Sequence, residues 1–396
     1  MPVTKSTLDQ DLYKVNMAAN ILRNHPRTPV KFKFKDRNPE GKFNDDWAKA
    51  FDQELEMLGD IKASDDEIQF LAERCPYLPP HAIDFMANFR HDPRQITYSI
   101  EDGNLNLEVD GNWETAMMWE IPSMYTISEL YFQHCDNDWQ SHDWESTYRE
   151  NLRKKAHTLR FCNTSEFGTR RRRSYQVQDI VMQELKEHLP TLLGTSNIHF
   201  AHKYNIQPVG TMAHELFMGY SVLKGLLHAN RFVMSDWTET FQGDMGVALT
   251  DTYGTEAFLH EFDKFYARIF DGVRHDSDCP YKFGDKIIAH YQSLKIDPKQ
   301  KSIIFSDGLN ANLAADLERN FRDQIKVGFG IGTHFTNDFE FLGSKALKIV
   351  VKLWSVWNGF RHQPVVKLSD NPAKHMGEED AIRIAKNMFF GEPLDA

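Results

Sequence analysis

Cysteine is scarce. Cys75, Cys135, Cys162 and Cys279 are the only four in 396 residues, and no two of them form a C-x-x-C pair. Thiols this scattered make neither a zinc knuckle nor a disulfide framework, which leads us to expect a reducing compartment. Long apolar runs are missing as well: no window approaches the ~18 apolar residues that a membrane span needs. The opening Met-Pro-Val-Thr-Lys-Ser-Thr offers no apolar signal core, so a cytoplasmic protein without a membrane partner is expected. Excess positive charge is also absent, since 46 Lys+Arg face 57 Asp+Glu for a formal net charge of -11. A duplex-binding surface requires clustered excess cations, so nucleic acid is not an expected partner. A local basic pocket for a small polyanion is still compatible with that total, and Arg170 to Arg173 supply a candidate. Repeats and low-complexity segments do not occur.

What is present is ordinary globular material, 41% hydrophobic and 26% charged, in a chain long enough for two domains or for a barrel with an added layer. Leu8 to Leu22 reads as a helix with Thr7 at its cap, and Pro26 and Pro29 end it. Val30 to Lys35 alternates apolar and basic residues, the pattern of a strand buried on one face. Trp47, Phe51, Leu55 and Leu58 mark an amphipathic helix, and further helices are expected at about Asp66 to Cys75 and from Pro80. Asp102-Gly103-Asn104 predicts a hairpin turn, because Leu105, Leu107 and Val109 alternate after it. Residues 1–135 are therefore expected to form an α+β antiparallel sandwich domain. Leu347 to Val356, the turn at Asn358-Gly359 and Pro364 to Leu368 read as a second hairpin, so 347–396 is expected to complete that domain.

Between them, from 136 to 346, helical stretches alternate with short apolar runs that end in polar residues or glycine. The run ends are Arg160-Phe161, Leu192 to Gly194, Pro208 to Gly210, Val247 to Asp251, Gly272 to Arg274, Ile303 to Asp307 and Val327 to Gly330. Seven such units predict an α/β fold, specifically a parallel α/β barrel, with the ligand at the carboxyl ends of the strands. The chemically distinctive residues follow those ends. Gly330-Ile331-Gly332-Thr333 can offer backbone N–H groups and a hydroxyl to a phosphate, with Ser306 and Asp307 shaping the same pocket. Asp276 is suited to a ribose diol. Asp251 is suited to Mg²⁺ at a pyrophosphate. Arg170 and Arg274 can fork onto a carboxylate or phosphate. Thr211 reads as a helix N-cap, which places His214 in the first turn near free N–H groups, where an imidazole can serve as acid, base or nucleophile toward phosphate.

Seven motifs stand in order: Leu8-Asp9-Gln10-Asp11-Leu12-Tyr13-Lys14, Glu166-Phe167-Gly168-Thr169-Arg170-Arg171-Arg172, Gly194-Thr195-Ser196-Asn197, Gly210-Thr211-Met212-Ala213-His214-Glu215, Gly272-Val273-Arg274-His275-Asp276-Ser277, Phe305-Ser306-Asp307 and Phe329-Gly330-Ile331-Gly332-Thr333. Together they resemble the nicotinate phosphoribosyltransferase family, in its bacterial and fungal form, over about residues 8–370. The resemblance implies synthesis of nicotinate mononucleotide and pyrophosphate from nicotinate and 5-phosphoribosyl 1-diphosphate, in NAD biosynthesis. It also implies ATP as co-substrate and hence a ligase-type classification of a pentosyl transfer. By the same resemblance, His214 is a phosphohistidine and the fold is an atypical α/β barrel joined to an α+β sandwich. Head-to-tail homodimers are implied, with Tyr13 reaching in from the partner to stack on the pyridine opposite Phe167. Thr211 and Arg274 are implied near nicotinate, Asp276 at the ribose, and Ser306, Asp307, Gly332 and Thr333 around the 5-phosphate.

Related nicotinamide-using enzymes carry Asp just after their Gly-Thr, where this chain has Ser196, a neutral hydroxyl that does not repel a carboxylate. That favours nicotinate; the alternatives are a nicotinamide- or quinolinate-using relative, or a catalytically silent barrel with a regulatory role. One departure stands out: the family's His-Asp-Ser-Gly-Asp-Pro reads His275-Asp276-Ser277-Asp278-Cys279-Pro280 here. If the family glycine needs positive φ, Asp tolerates it better than most residues do; activity is expected to persist with altered substrate affinity.

Overall fold

A computed structural model describes residues 2–39, 42–140, 143–244 and 246–392; the last four residues of the expected 347–396 segment lie outside them. Two sheets organise the chain. The first is antiparallel, with strands β1 (Pro29–Asp36), β2 (Ile96–Glu101) and β3 (Asn104–Asn112). The second is parallel, with β4 (Thr164–Glu166), β5 (Leu192–Thr195), β6 (Val247–Leu249), β7 (Gly272–His275), β8 (Ser302–Phe305) and β9 (Lys326–Ile331). Then β10 (Ile349–Trp357) and β11 (His362–Pro364) rejoin the first, whose order is β11-β10-β1-β3-β2. The β2–β3 turn is the expected one, with Asp102 at φ 51° and Gly103 at φ 72°. Alternation along β1 buries Val30 and Phe32, while Lys31 and Lys33 pair with Asp110 at 3.0 Å and Glu108 at 2.8 Å on β3. The N-terminal helix begins later than expected, at Leu12–Asn24 with Asp11 as N-cap.

The parallel sheet has the order β5-β4-β9-β8-β7-β6. Two of the seven expected runs differ. The run at Arg160-Phe161 is a turn, closed by Cys162 N–H donating to Leu159 O at 2.7 Å, and the strand starts at Thr164. Pro208-Val209-Gly210 forms no strand: proline has no N–H for the ladder, and only an isolated bridge joins Pro208 to Thr195. Nevertheless that segment touches both edges of the sheet. Val209 N–H donates to Thr195 O on β5 at 2.8 Å, and Thr211 Oγ1 donates to Val247 O on β6 at 2.8 Å.

The four consecutive arginines divide between two jobs. Arg172 is wholly buried and donates from both Nη atoms to Asp9 Oδ1 and Oδ2, each at 2.8 Å, with its guanidinium 4.0 Å from the Tyr125 ring centroid. Arg173 lies 3.5 Å from the Phe132 ring centroid, sandwiched from Phe339 at 4.3 Å. Arg170 and Arg171 face a cavity. No helix among the described residues is long and apolar enough to cross a membrane.

Candidate functional site

The carboxyl ends of the parallel strands open into a cavity of about 710 Å³. Tyr13, Phe167, Arg170, Ser196, Thr211 and Arg274 line it, as do His214, Asp276, Ser306, Asp307, Gly332 and Thr333. Asp251 stands directly behind the wall, with Oδ1 3.6 Å from His214 Nε2.

The aromatic end is built from backbone contacts. Leu12 N–H donates to Ser196 O at 2.8 Å, Ile198 N–H to Gln10 O at 3.0 Å and His199 N–H to Leu8 O at 2.8 Å, so the segment before the first helix is fastened to the loop after β5. That fastening delivers Tyr13 to the cavity of its own chain. Tyr13 and Phe167 line one cavity of the same chain. Phe167 follows β4, its N–H donating to Ile331 O at 2.8 Å, and its ring covers Gly330, where an added Cβ would stand 2.3 Å from Phe167 Cδ2. A mixing experiment separates a site completed within each chain from one shared across a dimer: in the first case Tyr13→Ala and His214→Ala proteins stay inactive after co-refolding. A shared site would instead restore activity in mixed dimers.

Asp11 is a site residue that sequence reasoning missed. Its Oδ1 accepts from Ser196 Oγ at 2.7 Å, and burial pushes its carboxyl up while Arg170 opposes the shift. The pocket thus holds a carboxylate beside Ser196 after all, tied to that hydroxyl. Ahead of the first helix, Asp-Gln-Asp alternation was the available signal, but it resembles a capping cluster equally well.

At the other end the expected N-cap is also corrected. The helix is His214–Leu223 with Ala213 at the N-cap position, because the Thr211 hydroxyl is engaged by Val247. His214 is its first residue. Its Nδ1 lies 2.9 Å from Thr252 Oγ1 and its Nε2 2.9 Å from Asp276 Oδ2. Burial, reinforced by the Lys367 ammonium, pushes the imidazole down to about 4, so the ring is neutral near pH 7. Burial opposes ionisation of Asp276, yet the Arg274 guanidinium above all holds its carboxyl well below the usual range. Ser306 Oγ donates to Asp276 Oδ1 at 3.2 Å, and Arg274 Nη1 to Met212 O at 3.2 Å.

Asp251 accepts at Oδ2 from Ser277 Oγ at 2.6 Å and Ser369 Oγ at 3.0 Å, while its buried Oδ1 has no hydrogen-bond partner. An orphaned carboxylate oxygen beside a second carboxylate, Asp276, suits a hard divalent cation; donor atoms of His214, Asp251 and Asp276 all lie within 4.8 Å of one another.

Two lysines complete the wall. Lys367 Nζ lies 2.9 Å from His214 Nε2. Lys374 Nζ donates to Asp276 O at 2.8 Å and to Asp307 Oδ1 at 2.5 Å. Both sit beyond β11; the sequence pattern assigns Lys367 to a hairpin strand and gives Lys374 no role.

Asp278 lies at φ 67°, left-handed as the family glycine suggested. Asp278→Gly is expected to raise stability by about 1 kcal/mol or less, since relief of left-handed strain is partly offset by a freer unfolded chain. Thermal melting checks it, and a lowered midpoint would show that the Asp278 side chain contributes something the glycine loses.

Profile comparison matches residues 162–392 to the Nicotinate phosphoribosyltransferase (NAPRTase) family and residues 8–128 to the N-terminal domain of the same family. A nicotinate phosphoribosyltransferase of Methanosarcina acetivorans is 40% identical, over 99% of this chain and 99% of its own. Nicotinate phosphoribosyltransferase 2 of Pseudomonas aeruginosa is 37% identical, covering 98% of this chain and 97% of its own. Among solved structures, nicotinate phosphoribosyltransferase from Porphyromonas gingivalis superposes with a TM-score of 0.92 at 38% identity, over 98% of this chain and 100% of that one. The Vibrio cholerae enzyme does so with 0.89 at 35%, over 98% and 94%. Both parts of the sequence are thus matched, almost end to end, by proteins of one kind: the chain belongs to the nicotinate phosphoribosyltransferase family.

Proposed function

We propose that the protein joins nicotinate to the ribosyl group of 5-phosphoribosyl 1-diphosphate, releasing pyrophosphate in a step of NAD biosynthesis, and couples this to ATP hydrolysis through phosphorylation of His214. The observation that carries the proposal is the sharing of one cavity by Tyr13, Phe167, His214, Asp276, Gly332 and Thr333. Tyr13 and Phe167 hold the pyridine ring between them, and stacking adds on the order of 1 kcal/mol per pair beyond burial. Arg170 and Arg274 supply the donors for the ring's carboxylate, while Ser196 and Thr211, whose hydroxyl protons go to Asp11 and Val247, shape the wall around it. Asp276 accepts from the ribose hydroxyls, and Ser306, Asp307, Gly332 and Thr333 enclose the 5-phosphate.

As the C1–O bond breaks, positive character develops on C1 and negative charge on the departing pyrophosphate; the pyridine nitrogen attacks from a ring already fixed in orientation. Asp251 and Asp276 would hold Mg²⁺, which when bound supplies positive charge to that leaving group. The neutral imidazole of His214 is in the protonation state a nucleophile toward phosphorus requires. The test is labelling with γ-labelled ATP alongside a substrate panel of nicotinate, nicotinamide and quinolinate. Acid-labile label, lost in His214→Ala, and turnover of nicotinate alone are expected. Stable label in that variant, or preference for another pyridine, would overturn the proposal.

A further inference from the structure

The two nitrogens of His214 meet different surroundings. Nδ1 faces Thr252 Oγ1 at 2.9 Å, and Thr252 is buried, outside the cavity wall. Nε2 faces the cavity, with Asp276 Oδ2 and Lys367 Nζ each at 2.9 Å and Asp251 Oδ1 at 3.6 Å. Nε2 can donate to the carboxylate or accept from the ammonium, not both; we assign the tautomer in which Nδ1–H goes to the Thr252 hydroxyl and the Nε2 lone pair accepts from Lys367, whose positive charge also faces Asp276.

A phosphoryl group on Nε2 places close to two negative charges on its oxygens beside two carboxylates, a repulsive arrangement. Lys367 is built to answer it. The residue is 3% exposed, and its backbone is held on both sides, by Lys367 N–H donating to Met376 O at 2.8 Å and Met376 N–H to Lys367 O at 2.9 Å. Next to it, Leu368 N–H donates to Thr252 O at 2.9 Å, so the segment that aims the lysine is attached to the residue that holds Nδ1. A lysine serving only the carboxylates would sit on one of them; Lys367 Nζ is 3.9 Å from Asp251 Oδ2 and only 2.9 Å from the imidazole nitrogen.

We propose that Lys367 is the charge partner of the phosphorylated histidine: its ammonium occupies the Nε2 lone pair at rest and moves onto the phosphoryl oxygens once the N–P bond forms. The inference rests on His214 being the phosphoryl acceptor. In the step, the Nε2 lone pair bonds to the terminal phosphorus of a nucleoside triphosphate. The bond from that phosphorus to the bridging oxygen breaks, and its electron pair leaves on the nucleoside diphosphate. Nδ1 keeps its proton, held by Thr252, and Lys367 donates hydrogen bonds before and after.

The experiment measures phosphohistidine formed from γ-labelled ATP in the full-length protein and in Lys367→Met, Lys367→Gln and Lys367→Arg. Both neutral variants are expected to accumulate at least ~10-fold less label, and the arginine variant to return to within about 3-fold of the parent. Gln retains a hydrogen-bond donor and stands in should Met fail to fold, and thermal melts establish which variants are native. Undiminished label in a folded neutral variant, or loss in Arg equal to that in Gln, overturns the role of Lys367. Label surviving in His214→Ala instead overturns the acceptor assignment on which it rests.

Discussion

Arg172→Met is expected to destabilise the fold by about 3–5 kcal/mol, because it strands a buried carboxylate rather than merely deleting a contact. Asp9 is fully buried and accepts from Arg172 Nη1 and Nη2 and from Asn197 Nδ2 at 2.7 Å. Burial works against its ionisation, yet the adjacent Arg172 guanidinium holds its carboxyl below the usual range. The double variant Asp9→Leu/Arg172→Met removes both charges and is expected to recover most of the loss, since buried ion pairs are close to neutral against apolar replacements. Denaturant unfolding of the parent, both single variants and the double variant measures this directly. A single variant that lost less than ~1 kcal/mol would show that the pair is solvated in a way its burial contradicts.

Gly330→Ala is expected to raise the KM for nicotinate on the order of 100-fold, the effect of moving a positioning group by about an ångström. The added methyl would stand 2.3 Å from Phe167 Cδ2 and 2.4 Å from Cε2, so the ring must leave the face of β9. Binding of 5-phosphoribosyl 1-diphosphate is expected to change far less, which separates this outcome from general damage. Steady-state kinetics with each substrate varied in turn decide it; equal changes in both constants would mean that the strand, not the ring, had moved.

Most of the strand ends were legible because the strands of a parallel sheet appear as short apolar runs, and the ends of β5 through β9 fall within two residues of where those runs stop. Pro208-Val209 was misread for a local reason: it is as apolar as a strand but lacks an N–H. Thr211 was misread because a threonine before a helical run serves as a cap only if its hydroxyl is free, and here a partner distant in sequence, Val247, takes it. The destinations of the arginines were equally illegible. Four identical residues in a row carry no sign that Arg172 finds Asp9 and Arg173 finds Phe132. Lys367 escaped notice because nothing in Val-Val-Lys-Leu distinguishes a lysine turned toward a histidine from one turned toward water.

The pairing of β1 with β10 also bears on how the molecule comes to exist. Val30 lies opposite Val356 and Phe34 opposite Val351, so one edge of β1 has no mate until nearly all the chain has left the ribosome. Contacts this remote in sequence are slow to form, and the waiting edge of a strand with one apolar face is a template for the wrong neighbour. Lys367 follows β10 by only a short span. The same late event that finishes the antiparallel sheet therefore brings the ammonium to His214, and no nascent chain can hold a complete site before its sheet is closed.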